Sequence, residues 1–124
     1  MYKRIMHEGK ACYGKHVLVH MERCNENILS IEVVKDFMTK LVKDIDMVAF
    51  GECHCYRFGD GEEIGLSAVQ LIYTSSITLH TNDLHREGYL DVFSCKDFSE
   101  EQIKQSIIDV FGPENVQYQV IIRE

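Results

Sequence analysis

Two stretches of the chain repeat apolar residues with the period of an amphipathic helix. In the first, apolar residues recur at spacings of three and four between residues 31 and 45, which places them on one helix face. Ser30 precedes this stretch and is expected to cap it, because a serine oxygen accepts a hydrogen bond from a free amide of the first turn. Ser99 precedes a second stretch of this kind, which Gly112 is expected to end. The sequence therefore predicts two amphipathic helices.

The rest of the chain alternates apolar and polar residues, which is typical of strands with one buried face. The predicted strands cover residues 16–21, 52–58, 64–73, 75–81, 89–94 and 117–122. The pattern leaves open whether the chain reverses or continues between residues 73 and 75, and residues 1–13 are expected to form a mobile arm or a lead-in to the first strand. With residues 64–81 counted as one continuing strand, the order is β-α-β-β-β-α-β, which predicts an α+β two-layer sandwich, with two helices on one face of a mainly antiparallel sheet.

The overall composition restricts the location and the partners of the protein. Its 124 residues predict one domain, residues 1–124. The N-terminal residues lack a signal peptide's apolar core and no apolar run is long enough to span a membrane, so we expect a cytoplasmic protein without a membrane partner. Five cysteines, an odd number, argue against a disulfide framework. The net charge of −7 argues against nucleic-acid binding and suits a cationic small molecule.

Two pairs of residues have side chains of the types that bind metals. His16 and His20 lie on one face of the first predicted strand, but no third ligand has a recognisable spacing to them, so we interpret both as structural. Cys53 and Cys55 form a single CxC pair without a second paired set, and alternation places both thiols on one strand face as small apolar residues. No metal site is predicted.

The most informative stretch, residues 73–81, places small hydroxyl residues and a histidine inside a strand-like segment. Three further segments lie before and after it: Gly14-Lys15-His16-Val17-Leu18-Val19, Gly65-Leu66-Ser67 and Glu87-Gly88-Tyr89-Leu90-Asp91-Val92-Phe93-Ser94-Cys95. In this order, and over roughly residues 14–111, the chain resembles the small, bacterial-type S-adenosylmethionine decarboxylases. The resemblance implies the same α+β fold that the pattern predicts.

Members of that family cut their own backbone before a serine and convert the serine into a pyruvoyl group. Ser75 holds the matching position, so the resemblance implies cleavage between Thr74 and Ser75 into chains 1–74 and 75–124. Decarboxylation of an amino acid leaves a carbanion, and no unmodified side chain supplies a ketone to accept its electrons. A pyruvoyl group does so through a Schiff base with the substrate amine.

The resemblance also assigns roles to other side chains. Ser67 and His80 match residues that assist the cleavage, with His80 as the processing base, and Cys95 matches the donor that protonates the substrate carbon. Phe58 matches an aromatic residue that stacks on the substrate. Leu84 holds the position of the family's substrate-binding glutamate. Asp83, one residue before it, is expected to supply the carboxylate instead.

Two positions next to Ser75 depart from the family pattern. Thr74 stands where the family usually has glutamate, and Ser76 stands where it usually has histidine. The hydroxyl chemistry of processing requires neither of those two residues. The departures bear on the hydrogen bonding around the cleaved bond, and therefore on whether the chain processes itself.

Three functions follow as alternatives. The first is decarboxylation of S-adenosylmethionine, which belongs to spermidine biosynthesis; the second is the same pyruvoyl chemistry on arginine or ornithine. The third is a non-processing homologue that binds a ligand or a partner subunit without catalysis. For the enzyme we expect a small-molecule amino-acid substrate and a homodimer.

Overall fold

The computed structural model describes residues 5–124 and confirms the predicted α+β two-layer sandwich. Its elements are β1 (Ile5–His7), β2 (Lys10–Cys12), β3 (Gly14–Glu22), α1 (Ile31–Asp44), β4 (Val48–Phe58), β5 (Gly65–Tyr73), β6 (Ser75–Asn82), β7 (Glu87–Ser94), α2 (Glu100–Phe111) and β8 (Asn115–Arg123). The large sheet has six strands in the order β4-β5-β6-β7-β3-β8, and each neighbouring pair in it is antiparallel.

The structure decides the two points on which the strand prediction was open or wrong. The chain reverses at Thr74, because Ile72 of β5 pairs with Ser75 of β6. Four strands therefore separate the helices, where the predicted element order counted three. Residues 5–12 are not a mobile arm, since β1 and β2 pair as a hairpin; residues 1–4 lie outside the described part of the chain.

Both helices begin where the sequence predicts, and α2 also ends where it predicts. The Ser30 hydroxyl accepts a hydrogen bond from the Val33 amide at 3.2 Å, and Ser99 caps α2 in the same way. Gly112 ends α2 in the left-handed conformation with φ of +45°, which favours glycine. Neither described helix combines the length and the apolar character that crossing a bilayer requires.

The core lies between the helices and one face of the sheet. The rings of Phe37 from α1 and Phe111 from α2 pack with their centroids 4.7 Å apart. Cys53 and Cys55 both belong to this core, as their alternation along β4 predicts. Burial raises the pKa of both thiols, because it disfavours the thiolate.

The opposite face of the sheet, which we call the open face, carries several exposed apolar side chains. Among them are Phe50, Val69, Leu71, Tyr73 and Tyr89, each more than a third exposed. Strand pairing places them on the face away from the helices. A patch of this kind on a soluble domain typically marks an interaction surface.

Candidate active site

Ser75 is the first residue of β6, directly after the reversal at Thr74. Its hydroxyl donates a hydrogen bond to the carbonyl oxygen of Thr74. The side chain of Ser75 is half-buried at this end of the sheet. The oxygen predicted to attack therefore lies beside the carbonyl group of the bond predicted to break.

Cys95 contacts the same carbonyl from another strand. It follows the last residue of β7, Ser94, and the pairing of β6 with β7 brings it to the start of β6. The Cys95 thiol donates to the Thr74 carbonyl oxygen, with 3.7 Å between sulfur and oxygen, and is also hydrogen-bonded to the Thr74 hydroxyl. Cys95 is buried. The structure thus brings Ser75 and Cys95 together around one carbonyl group.

Ser67 and His80 form a separate pair. They lie directly opposite each other on β5 and β6, with 2.9 Å between Ser67 Oγ and His80 Nδ1. His80 is five positions along β6 from Ser75, which corresponds to roughly 16 Å at the rise of a β-strand. One chain by itself does not place His80 within reach of the Ser75 hydroxyl.

The predicted substrate-binding residues lie at the His80 end of the strands. Phe58 pairs with Gly65 of β5, and its ring is largely exposed. The Asp83 amide donates to the Ile64 carbonyl at 2.9 Å, which holds the loop after β6 against the start of β5. Phe58 and Asp83 therefore lie near Ser67 and His80, and away from Ser75.

The carboxylate of Asp83 has a partner that the sequence did not indicate. Its Oδ2 accepts a hydrogen bond from Arg57 Nε at 2.9 Å, and the Arg57 guanidinium also donates to the carbonyl of Leu29. The other oxygen, Oδ1, is buried without a hydrogen-bond partner. The one signal for this ion pair in the sequence is the position of Arg57 next to Phe58. Asp83 is thus held by an ion pair and is not a freely exposed carboxylate.

The histidines of β3 have carboxylate partners on the open face. His20 Nε2 donates to Glu87 Oε2 at 2.8 Å, and the Tyr89 hydroxyl donates to the same oxygen at 2.7 Å. These hydrogen bonds, of which the one from His20 has the largest effect, hold the pKa of Glu87 below its ordinary value. His16 lies 3.4 Å from Asp91. Within residues 5–124, no group of three or more potential metal ligands converges on one point.

The chain matches a family model over most of its length. The model is described as S-adenosylmethionine decarboxylase, and residues 15–124 match it. The structure is similar to the crystal structure of the adenosylmethionine decarboxylase from Aquifex aeolicus, with a TM-score of 0.77 and 25% sequence identity. That similarity covers 90% of this chain and 91% of the other.

Two relatives show a similar level of identity. The S-adenosylmethionine decarboxylase proenzyme of Thermodesulfovibrio yellowstonii is 29% identical over 100 residues, which cover 79% of this chain and 71% of that protein. The arginine decarboxylase proenzyme of Caldivirga maquilingensis is 28% identical over 87 residues, 69% of this chain and 64% of that protein. The family match, which includes the residues around the Thr74 carbonyl, and the similar solved structure show that the chain belongs to the S-adenosylmethionine decarboxylase family.

Proposed function

We propose that this protein is a self-processing, pyruvoyl-dependent decarboxylase that acts on S-adenosylmethionine. One observation supports it most: the Ser75 hydroxyl and the Cys95 thiol both contact the carbonyl group of Thr74. Its five cysteines, an odd number, fit the reducing cytoplasm, the compartment expected from the sequence.

Processing begins at the Ser75 hydroxyl. Its oxygen attacks the Thr74 carbonyl carbon, and the acyl group moves from the backbone nitrogen of Ser75 to that oxygen. A base then removes the α-proton of Ser75, the ester is eliminated, and Thr74 becomes the C-terminus of chain 1–74. Hydrolysis of the remaining dehydroalanine leaves the pyruvoyl group at the start of chain 75–124 and releases ammonia.

Cys95 has the second role, in turnover. The pyruvoyl group, once formed, supplies a ketone that holds the substrate amine and accepts the electron pair left by carbon dioxide. The substrate carbon must then receive a proton. Cys95 is buried beside Thr74, so its thiol meets a substrate held at position 75 with little competition from water.

The distance between His80 and Ser75 supports a homodimer. His80 acts on Ser75 only if it belongs to a second copy, since roughly 16 Å separates them within one chain. The exposed apolar side chains of the open face suit contact with another such face. A two-fold axis that crosses the strands brings the His80 end of one copy over the Ser75 end of the other. Each active site would then take Ser75 and Cys95 from one chain, and Ser67, His80, Phe58 and Asp83 from its partner.

Intact mass tests the processing. We expect the purified protein to separate into chains 1–74 and 75–124, and Ser75→Ala to remain one species of 14.4 kDa. Ser76→Ala is the matched control, because it removes the neighbouring hydroxyl and keeps the one at position 75. A wild-type chain that never splits would favour the non-processing homologue and overturn the proposal.

Arginine or ornithine remains the second candidate substrate for a specific reason. Asp83, the predicted carboxylate for the substrate, is already paired with Arg57, and one relative is named as an arginine decarboxylase proenzyme. Release of carbon dioxide from S-adenosylmethionine, arginine and ornithine, each tested separately, discriminates the two. Release from arginine or ornithine alone would replace the first substrate with the second.

A further inference from the structure

A buried lysine lies next to the segment that carries Cys95. Lys15 is on β3, directly opposite Ser94 of β7, and its side chain points to the helix side of the sheet. Only 8% of that side chain is exposed. A lysine is rarely buried to this extent, because its ammonium group must be paired to offset the loss of water.

The ammonium group of Lys15 contacts the four-residue segment 97–100. Its Nζ donates to the Phe98 carbonyl at 2.6 Å and lies 3.0 Å from Asp97 Oδ1 and 3.2 Å from Glu100 Oε1. The same nitrogen lies 4.5 Å from the centre of the Phe98 ring. One ammonium group thus holds the backbone and two carboxylates of the segment that enters α2.

Cys95 lies between two segments that Lys15 fixes. On one side, Ser94 is paired with Lys15 in the sheet. On the other side, the Lys96 amide donates to the Ser94 hydroxyl at 2.9 Å, and residues 97–100 follow directly. The backbone of Cys95 therefore has little freedom to move away from the Thr74 carbonyl.

We propose that Lys15 is a positioning residue, which holds the Cys95 thiol against position 75 through residues 97–100. The inference rests on the proposed function for what the thiol does there. Proton transfer requires the donor within hydrogen-bond reach of the acceptor, and a misplacement of about 1 Å is enough to cost on the order of a hundredfold in rate. Lys15 itself contacts neither Ser75 nor Thr74, so its effect passes through Cys95.

The test compares Lys15→Met, Lys15→Arg and the control Lys104→Met, which removes a partly exposed lysine from α2. The readout is the rate at which iodoacetamide alkylates Cys95, mapped by peptide mass and compared with buried Cys24. We expect Lys15→Met to raise the Cys95 rate on the order of tenfold, since a buried charged hydrogen bond is lost. Cys24 should stay unchanged, and Lys15→Arg, which keeps the charge, should behave like the wild type.

Turnover gives a second readout, which reports how well the Cys95 thiol delivers its proton. We expect Lys15→Met to lower kcat about tenfold with little change in KM, because substrate binding is untouched. A displaced thiol also lets the proton go to the carbon that came from the keto group, and not to the substrate carbon. The substrate nitrogen then stays on the protein. Chain 75–124 then begins with alanine, and the substrate leaves as an aldehyde and carbon dioxide. This alanine-capped chain should accumulate faster in Lys15→Met than in the control.

Unchanged alkylation of Cys95 in a folded Lys15→Met variant would overturn the inference. If Lys15→Met does not fold, Glu100→Gln removes one partner with little change in shape, and the same selective rise at Cys95 is then required of it. Alkylation needs neither cleavage nor turnover. A failure of the proposed function therefore shows as an intact chain without carbon dioxide release, whereas a failure of this inference shows as an unreactive Cys95.

Discussion

Two inactive variants should restore cleavage when they share a dimer. Ser75→Ala removes the attacking hydroxyl and keeps His80, whereas His80→Ala keeps the hydroxyl and removes the base. Alone, Ser75→Ala should not cleave at all, and His80→Ala should cleave about 10²- to 10⁴-fold more slowly, the usual contribution of a positioned general base. In a mixed dimer, the Ser75 of one chain would meet the intact His80 of the other.

The expected yield follows from the distance and from the statistics of pairing. A general base acts from about 3 Å, and within one chain His80 is roughly 16 Å from Ser75 along β6. When equal amounts of the two variants pair at random, about half of the chains that carry Ser75 belong to a mixed dimer. About half of all the chains that carry Ser75 should therefore split at the wild-type rate, and the other half only at the slow rate of His80→Ala.

The assay is coexpression of the two variants with different tags, followed by intact mass of each chain over time. The matched control pairs His80→Ala with the double variant Ser75→Ala, His80→Ala, so that the mixed dimer forms without an intact His80. If this control cleaves as well as the test pair, or if His80→Ala alone cleaves at the wild-type rate, the reasoning from distance is wrong. Absence of cleavage in isolated mixed dimers would refute it equally.

Two further predictions concern stability. Gly65→Ala should lower the free energy of unfolding by about 3 kcal/mol in urea, because a Cβ there would lie 1.8 Å from the Thr81 carbonyl oxygen. Gly51→Ala meets open space and should cost only about 1 kcal/mol for its positive φ; equal losses would contradict this. The pKa of Glu87 is lowered, and the hydrogen bond from His20 is the largest cause. The ionised carboxylate therefore stabilises the fold above about pH 4.5, and this stabilisation is lost as pH falls through the lowered pKa. Glu87→Gln should therefore destabilise the protein at pH 7 and much less at pH 3, and a loss independent of pH would exclude that origin.

The helices and the core face were predictable because their signals are local. Ser30 and Ser99 cap helices whose apolar period is unbroken. The hairpin of β1 and β2 was missed although Glu8 and Gly9, both with positive φ, form a two-residue turn between its strands. The start of β4 was missed because Gly51, also with positive φ, lies at an irregularity that interrupts the alternation.

The site was predictable only in part, because its contacts join distant parts of the chain. The residue types came from the resemblance, and the structure brings Ser75 and Cys95 together at the Thr74 carbonyl. The partners of Lys15 lie more than eighty positions away in sequence. No periodic pattern reports such a contact, and a lysine in a strand looks like a solvent-exposed residue. The ion pair of Arg57 with Asp83 was missed for the same reason.

The spacing of the motif supports the proposal that each active site combines residues of two chains. Ser75 and His80 lie five positions apart on one strand, which separates their side chains by roughly 16 Å along it. No rotamer change brings them together. Cys95 is not separated from Ser75 in this way, because it follows the end of the neighbouring strand β7, which lies beside the start of β6. A cleavage that needs both Ser75 and His80 therefore depends on association. We expect dilution below the dimer's dissociation constant to slow processing in the uncleaved protein, whereas processing within one chain would proceed at the same rate at every concentration.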